Sequence, residues 1–386
     1  MAGWRDDVRR DYDDLKDRFR STDRAAFESG DWFAHFVQWM LENYAKTLDA
    51  DYLKRMYPGV SPANQAKKAI GIAAKYNGVA GGAAAAAVTA LELSSLGPQA
   101  MVTVPAIGTA IMADVAYSTR TQLRSTYDLS VIHGAPLAID DVEDCYFVFL
   151  TAMGVKLHEM AGGFGKAVGP QVIAYNVRKL LRAGLRKSLQ EVLKKVGGTQ
   201  LAKKLTERAA MRLLVPGIGI PVAYGFNFYF TKSVLGVANL QMRRRGKVVQ
   251  PLIRLYKREK ELARTAALKA LIAVVDAGEP DGWSDGQMNA LRHCQSTLSL
   301  SDEDLTELDE YFDREIQAVI GELPQMHPKA WDDLVQLCLV TASFASNDRH
   351  DDAYAAALAT LSRRASKPLS EKQAKKAVMK SRKTLK

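Results

Sequence analysis

Two long uncharged stretches, each broken by a pair of prolines, limit what this chain can fold into more than any other feature. Residues 93–113, LSSLGPQAMVTVPAIGTAIMA, hold Pro98 and Pro105, and residues 213–231, LLVPGIGIPVAYGFNFYFT, hold Pro216 and Pro221. A bilayer core asks for about 20 predominantly apolar residues in one helix, so both pass on length. Both fail on continuity, because each proline removes a backbone donor and crowds the preceding turn. The first stretch also contains Ser94, Ser95, Gln99, Thr103 and Thr109, which suit a buried helix pair or a re-entrant hairpin better than a span. In the second, the two prolines bracket GIGI, so a loop or broken helix should give way to a helix from about Val222. That helix would carry Tyr224, Phe226, Phe228, Tyr229 and Phe230. Such aromatics fit a buried core and a bilayer interface alike, and both readings stay open.

The rest of the chain has helical periodicity and no run of alternating strands, so the expected fold class is all-α. Residues 31–56 place Phe33, Phe36, Val37, Met40, Leu41 and Tyr44 at helical spacing, and YPGVSP (57–62) should stop that helix. Residues 78–91, GVAGGAAAAAVTAL, form a small-residue run that permits close helix packing in lipid or in protein. Asp114 and Asn227 stand out as polar groups within or beside the apolar stretches. Unpaired burial would cost each a few kcal/mol, so each is expected to cap a helix or to hydrogen-bond across the core.

Charge is distributed in blocks. The net charge of +10 divides into −3 over residues 1–177, +17 over 178–264, −13 over 265–362 and +9 over 363–386. Such asymmetry calls for an anionic partner for the middle block, or for contact between the blocks. Within the basic block, QVIAYNVRKLLRAGLRKSLQEVLKKV (171–196) sets an apolar stripe against Arg178, Lys179, Arg182, Arg186, Lys187, Lys194 and Lys195. A basic amphipathic helix of this kind can lie on an anionic membrane, and a core helix with a solvated basic face has the same pattern. Arg243, Arg244, Arg245 and Lys247 follow the second apolar stretch and look like a juxtamembrane polybasic patch, where each basic residue contributes about 1 kcal/mol near anionic lipid. The tail, 363–386, has few apolar residues and is expected to be disordered.

The order of these parts resembles the EcsC family of bacterial proteins. A Gly/Ala-rich segment leads into PAIGTAIMADVAYSTRTQLRSTYDL, with Asp114 and Arg124 spaced as in that family, and a basic helix precedes VPGIGIPVAYGFNFYFTKSVLGVA. The likeness covers residues 65–262 and implies a helical, membrane-associated protein of unknown activity. LKALIAVVDAGEPDGWSDGQMNALRHCQSTLSLSDEDLTEL (268–308) resembles a TerB-like module, a helical domain named from tellurite-resistance proteins: apolar helix, acidic Asp-Gly turn, second helix. Ser301 and Asp304 form a capping-box-like start there, while Gln287 and Met288 stand where that family has a glutamate. A weaker echo occupies 334–361. The expected organisation is therefore an N-terminal helical region (1–64), an EcsC-like domain (65–262), a TerB-like domain (263–362) and a basic tail (363–386).

No complete catalytic constellation is present. The six histidines show no HxxxH or HxH pairing, His158-Glu159 lacks the second histidine of a zincin, and AGGFGKA (161–167) departs from a phosphate loop at both ends. Whether the chain is an enzyme is left open, with a hydrolase of unknown substrate as the least supported reading. Asp276, Glu279, Asp281 and Asp285 crowd one turn and form a weak candidate for a hard cation, although their register excludes an EF-hand. No cofactor is expected. Cys145, Cys294 and Cys338 stand far apart without CxxC pairing, which fits buried thiols in a reducing compartment. The N-terminus is charged from its fifth residue and lacks the apolar stretch of a secretory signal. These observations favour a protein on the cytoplasmic face of the membrane, with an anionic membrane surface and a membrane protein complex as its partners. A soluble helical interaction scaffold is the alternative. The lack of aromatics among the tail's lysines speaks against nucleic acid.

Overall fold

The computed structural model describes residues 13–15, 55, 57–94, 100–137, 219–278, 283–298, 304, 308, 310–312, 314–345 and 348–385. The fold is all-α, as the periodicity required: every regular element among the described residues is a helix. In chain order these are α1 (Pro62–Ser94), α2 (Ala100–Ile132), α3 (Gly219–Glu259), α4 (Glu261–Gly278), α5 (Asp285–Leu298), α6 (Ile316–Glu322), α7 (Pro328–Ala342), α8 (Asp351–Ser362) and α9 (Glu371–Leu385). None of the described helices is long and apolar enough to cross a membrane.

The prolines act in two ways. Pro62 opens α1 at the position where a missing N–H leaves no bond unmade, after a turn in which Gly59 takes φ +73. The Gln65 amide then donates back to Val60 O at 2.9 Å and Tyr57 O at 3.2 Å, fixing the entry of the chain. Likewise Pro221 lies in the first turn of α3, which starts at Gly219 rather than at about Val222. Against the sequence expectation, α2 continues through Pro105. A further proline, Pro251, lies inside α3. Each proline removes one ladder bond, and the turns on either side carry the element.

The described residues fall into two compact units. The first contains the residues up to Ile132, then 136–137 and 219–239; the second contains His133–Ala135 and 240–385. In the first, α1 and α2 pack side by side. Ala66, Ala73, Ala74, Ala80 and Ala84 of α1 and Ala110, Ala113 and Ala116 of α2 are buried, so small side chains set the spacing. In the second, α4 is the central element: 11 of its 18 residues are buried, and α5, α6, α7 and α8 pack around it. Gly278 ends α4 against the buried ring of Tyr354, where a Cβ would collide. The expected boundary at 262/263 falls in the first turn of α4, and the second unit also takes in about the last half of α3.

The tail corrects the sequence reading. Far from being disordered, 371–385 forms α9, which packs on α7 and α8 with Ala374, Val378 and Leu385 buried. Its start is closed by a reciprocal capping box: Gln373 N donates to Ser370 Oγ (3.3 Å), and Ser370 N to Gln373 Oε1 (2.9 Å). Arg382 clasps buried Asp351 through two bonds of 2.5 and 3.0 Å, and Lys375 meets Asp352 at 2.7 Å. The helix is thus held by the acidic block that precedes it in sequence. Arg254 reaches the same block from α3, with its Nε 2.7 Å from Asp333 Oδ1, and Arg258 follows at 3.4 Å.

Candidate functional site

Within the first unit, three helices meet along a polar seam. A Cβ on Gly78 would lie 2.8 Å from the Tyr224 ring, and one on Gly81 would collide with the Asn227 amide. The small-residue run of α1 therefore makes room for the side chains of α3. Asn227 uses that room to donate to Asp114 Oδ1 on α2 at 2.9 Å, and both residues are fully buried. The two polar residues singled out in the apolar stretches are thus joined to one another. One helical turn along each element, Asn77 Nδ2 donates to Thr231 Oγ1 (2.8 Å) and to Ser118 O (3.4 Å). Gln122 continues the stripe of Asp114 and Ser118 on α2 and is likewise buried.

Among the described residues, Asn77 Oδ1, Ser118 Oγ and Gln122 Nε2 have no hydrogen-bond partner. Each such group costs about 1–3 kcal/mol. Further along α2, burial lifts the Asp128 carboxyl to about 6, against the opposing pull of Arg124. Sequence reasoning missed Asn77, Ser118, Gln122 and Thr231, since a lone polar residue in an apolar helix carries no sign of its partner. The four-residue spacing of 114, 118 and 122 was the available signal.

The outer side of the same α3 segment is apolar. Val222 and Val237 are exposed there and Tyr229 is 70% exposed, while Ile220 and Tyr224, also partly open to solvent, lie against Gly82 and Gly78 of α1. Its rings stack along the helix: Tyr224 on Phe228 at 6.2 Å, Phe226 on Phe230 at 5.8 Å, and Phe228 edge-on to Tyr229 at 5.3 Å. The first charged side chain after this run, Lys232, lies over the Phe228 ring at 6.0 Å.

The polybasic cluster belongs to the second unit and divides. Arg245 is 3% exposed: its Nε donates to Ala135 O at 3.3 Å and its Nη1 to His293 Nδ1 at 2.8 Å. Its expected place on an anion-facing patch is therefore corrected. The cause lies next to it, because Gly246 lets α3 pass so close to His133 O that a Cβ would collide. Burial, then Arg245 and Arg292, hold His293 well below its ordinary range, so it is neutral and accepts at Nδ1. Arg243 and Arg244 face the end of α9, donating to Thr384 O and to Leu385 O (3.3 Å), and burial lowers the basicity of Arg244. Lys247 is exposed. Arg178, Lys179, Arg182, Arg186, Lys187, Lys194 and Lys195 lie outside the described residues.

Of the acidic turn, Asp276 Oδ1 accepts from Trp283 Nε1 at 2.6 Å, Asp285 begins α5, and Glu279 and Asp281 lie outside the described residues. Among the described residues no group of three or more His, Cys, Asp or Glu converges to hold a metal ion. Burial pushes the Cys294 thiol up to about 12 and that of Cys338 upward as well, so neither is a nucleophile at neutral pH. Gln287 donates to Tyr354 Oη at 2.5 Å and accepts from Ser284 N at 2.8 Å. No family model, curated protein or solved structure matches this chain.

Proposed function

We propose that this protein acts by binding at the inner surface of the cytoplasmic membrane, as an EcsC-like peripheral protein, and that its TerB-like block serves partner contact. The observation that carries this reading is the outer face of α3 between 222 and 237. Exposed Val222, Tyr229 and Val237 lie there in a stretch whose only charge is Lys232. Clustered exposed apolar side chains mark interaction surfaces, and rings with a polar tip suit the headgroup level of a bilayer. Contact would be shallow, since no described helix is fit to span.

The test is flotation of the full chain with vesicles of phosphatidylcholine alone and with a third of anionic phosphatidylglycerol. The wild type is expected to rise with the anionic vesicles at low salt, and the double variant Val222→Asp, Tyr229→Asp to lose at least tenfold in partitioning. A wild type that stays at the bottom of every gradient refutes the reading. A second reading, a soluble interaction scaffold, is favoured by the seam. There Asp114, Asn227, Asn77 and Thr231 turn inward and bond to one another, leaving a folded unit that needs no lipid. It predicts a monodisperse protein indifferent to vesicles.

A further inference from the structure

The second unit brings together two basic segments whose contacting residues are 141 positions apart in sequence. Arg243 donates to Thr384 O and Arg244 to Leu385 O, so the polybasic turn of α3 abuts the C-terminal end of α9. On α9 itself the basic residues divide by face. Lys375 and Arg382 are spent on Asp352 and Asp351. Lys372, Lys376, Lys380 and Lys383 are exposed on the side away from buried Ala374, Val378 and Leu385, at spacings of four, four and three that align them on one face. Lys247 is exposed one turn beyond Arg243 on α3, extending the same basic surface. Among the described residues none of these five lysines pairs with a carboxylate.

We infer that the outward face of α9, with Arg243 and Lys247 beside its end, is the electrostatic docking surface for an anionic lipid bilayer. The inference rests on the membrane reading above and names the part of the molecule that would supply its charge. Three observations carry it. Lysines three and four residues apart on one helix face repel one another, and no acidic residue separates these four, so an anionic surface relieves a repulsion built into the fold. The helix is pinned on its other side by Ala374, Val378, Leu385 and the Arg382–Asp351 clasp, so the stripe is presented on a fixed element. Met379 sits between Lys376 and Lys383 and is 43% exposed. An apolar side chain ringed by lysine stems suits a headgroup layer. Single-stranded nucleic acid would instead call for aromatic platforms, and the stripe has none.

The experiment compares four full-length proteins in the same flotation assay: wild type; the stripe variant Lys372→Gln, Lys376→Gln, Lys380→Gln, Lys383→Gln; the same four lysines changed to Arg; and a control with Lys67, Lys75, Lys257 and Lys260 changed to Gln. The control removes equal charge from exposed positions elsewhere. Each basic residue at an anionic surface is worth about fivefold in partitioning. The stripe variant should therefore lose about a hundredfold or more, the Arg variant should bind as wild type, and the control should lose less than tenfold. A stripe variant that floats like wild type overturns the inference and leaves the membrane reading standing. Equal losses in the stripe variant and the control overturn it in favour of net charge alone. A wild type that ignores vesicles overturns both, as does stripe-dependent retention on an oligonucleotide without flotation.

Discussion

His293 is a case in which two cations and a sealed environment decide what an imidazole can do. It lies between Arg245 and Arg292, buried, and receives a hydrogen bond from Arg245 at Nδ1, so its proton resides on Nε2. Desolvation and both guanidinium groups oppose a second proton, which depresses its folded-state pKa well below the ordinary 6.5. The unfolded chain takes up that proton at about 6.5, so His293 contributes its full stability above that pH. As pH falls below it, the contribution declines with a slope of up to about 1.4 kcal/mol per pH unit until the folded form titrates. His293→Gln keeps an acceptor for Arg245 and cannot titrate. Urea midpoints taken from pH 7.5 to pH 5 should therefore fall more steeply for wild type than for the variant. Parallel profiles would show that the imidazole is not sealed from protons. Asp114 and Asn227 follow a related rule in the first unit, where a buried carboxylate is tolerated because a side-chain amide from another helix faces it.

At the scale of elements, α9 shows how little local signal a real helix can need. Its mean composition is strongly polar, and its buried stripe consists of Ala374, Val378 and Leu385 alone. What starts it is the box made by Ser370 and Gln373, and its last turn places Arg382 and Lys383 where the helix dipole favours cations. Ser370→Ala should cost about 1 kcal/mol in the stability of the second unit, and Gln373→Ala somewhat less. The double variant should cost less than the sum, because each half of the box needs the other. Strict additivity in urea denaturation would mean that the two side chains do not cap each other.

The Ser-x-x-Gln signal stood in the sequence at 370–373 and at 284–287, but the reading favoured Ser301 and Asp304. Asp304 instead meets Arg264 at 3.3 Å, and Ser301 is outside the described residues. The all-α class and the polar character of Asp114 and Asn227 were legible because periodicity and a polar group in an apolar run are local properties. Their partnership spans 113 positions and was not, since only the meeting of α2 with α3 over the glycines of α1 creates it. Arg245 was misplaced for the same reason: a run of three arginines looks uniform until packing turns one of them inward.

At the scale of the whole sequence, the alternation of basic, acidic and basic blocks along the second half is in part, among the described residues, an internal pairing scheme. Arg254 and Arg258 meet Asp333, Arg264 meets Asp304, and Arg382 and Lys375 meet Asp351 and Asp352. The acidic block thus takes cations from both neighbours in sequence, and the surplus lysines are left outside. Asp351 makes this testable, because it is buried and is paired with Arg382 of the tail. Arg382→Met would leave that carboxylate buried beneath α9 without its guanidinium. A buried charge stripped of its partner costs about 3–5 kcal/mol, so the variant should unfold at markedly lower urea. In that background Asp351→Asn removes the stranded charge and should recover part of the loss. In the wild-type chain the same substitution breaks the clasp and should lower stability. Opposite signs in the two backgrounds identify Arg382 as the partner of Asp351 in solution, whereas equal losses would mean that the tail is held by its apolar contacts alone.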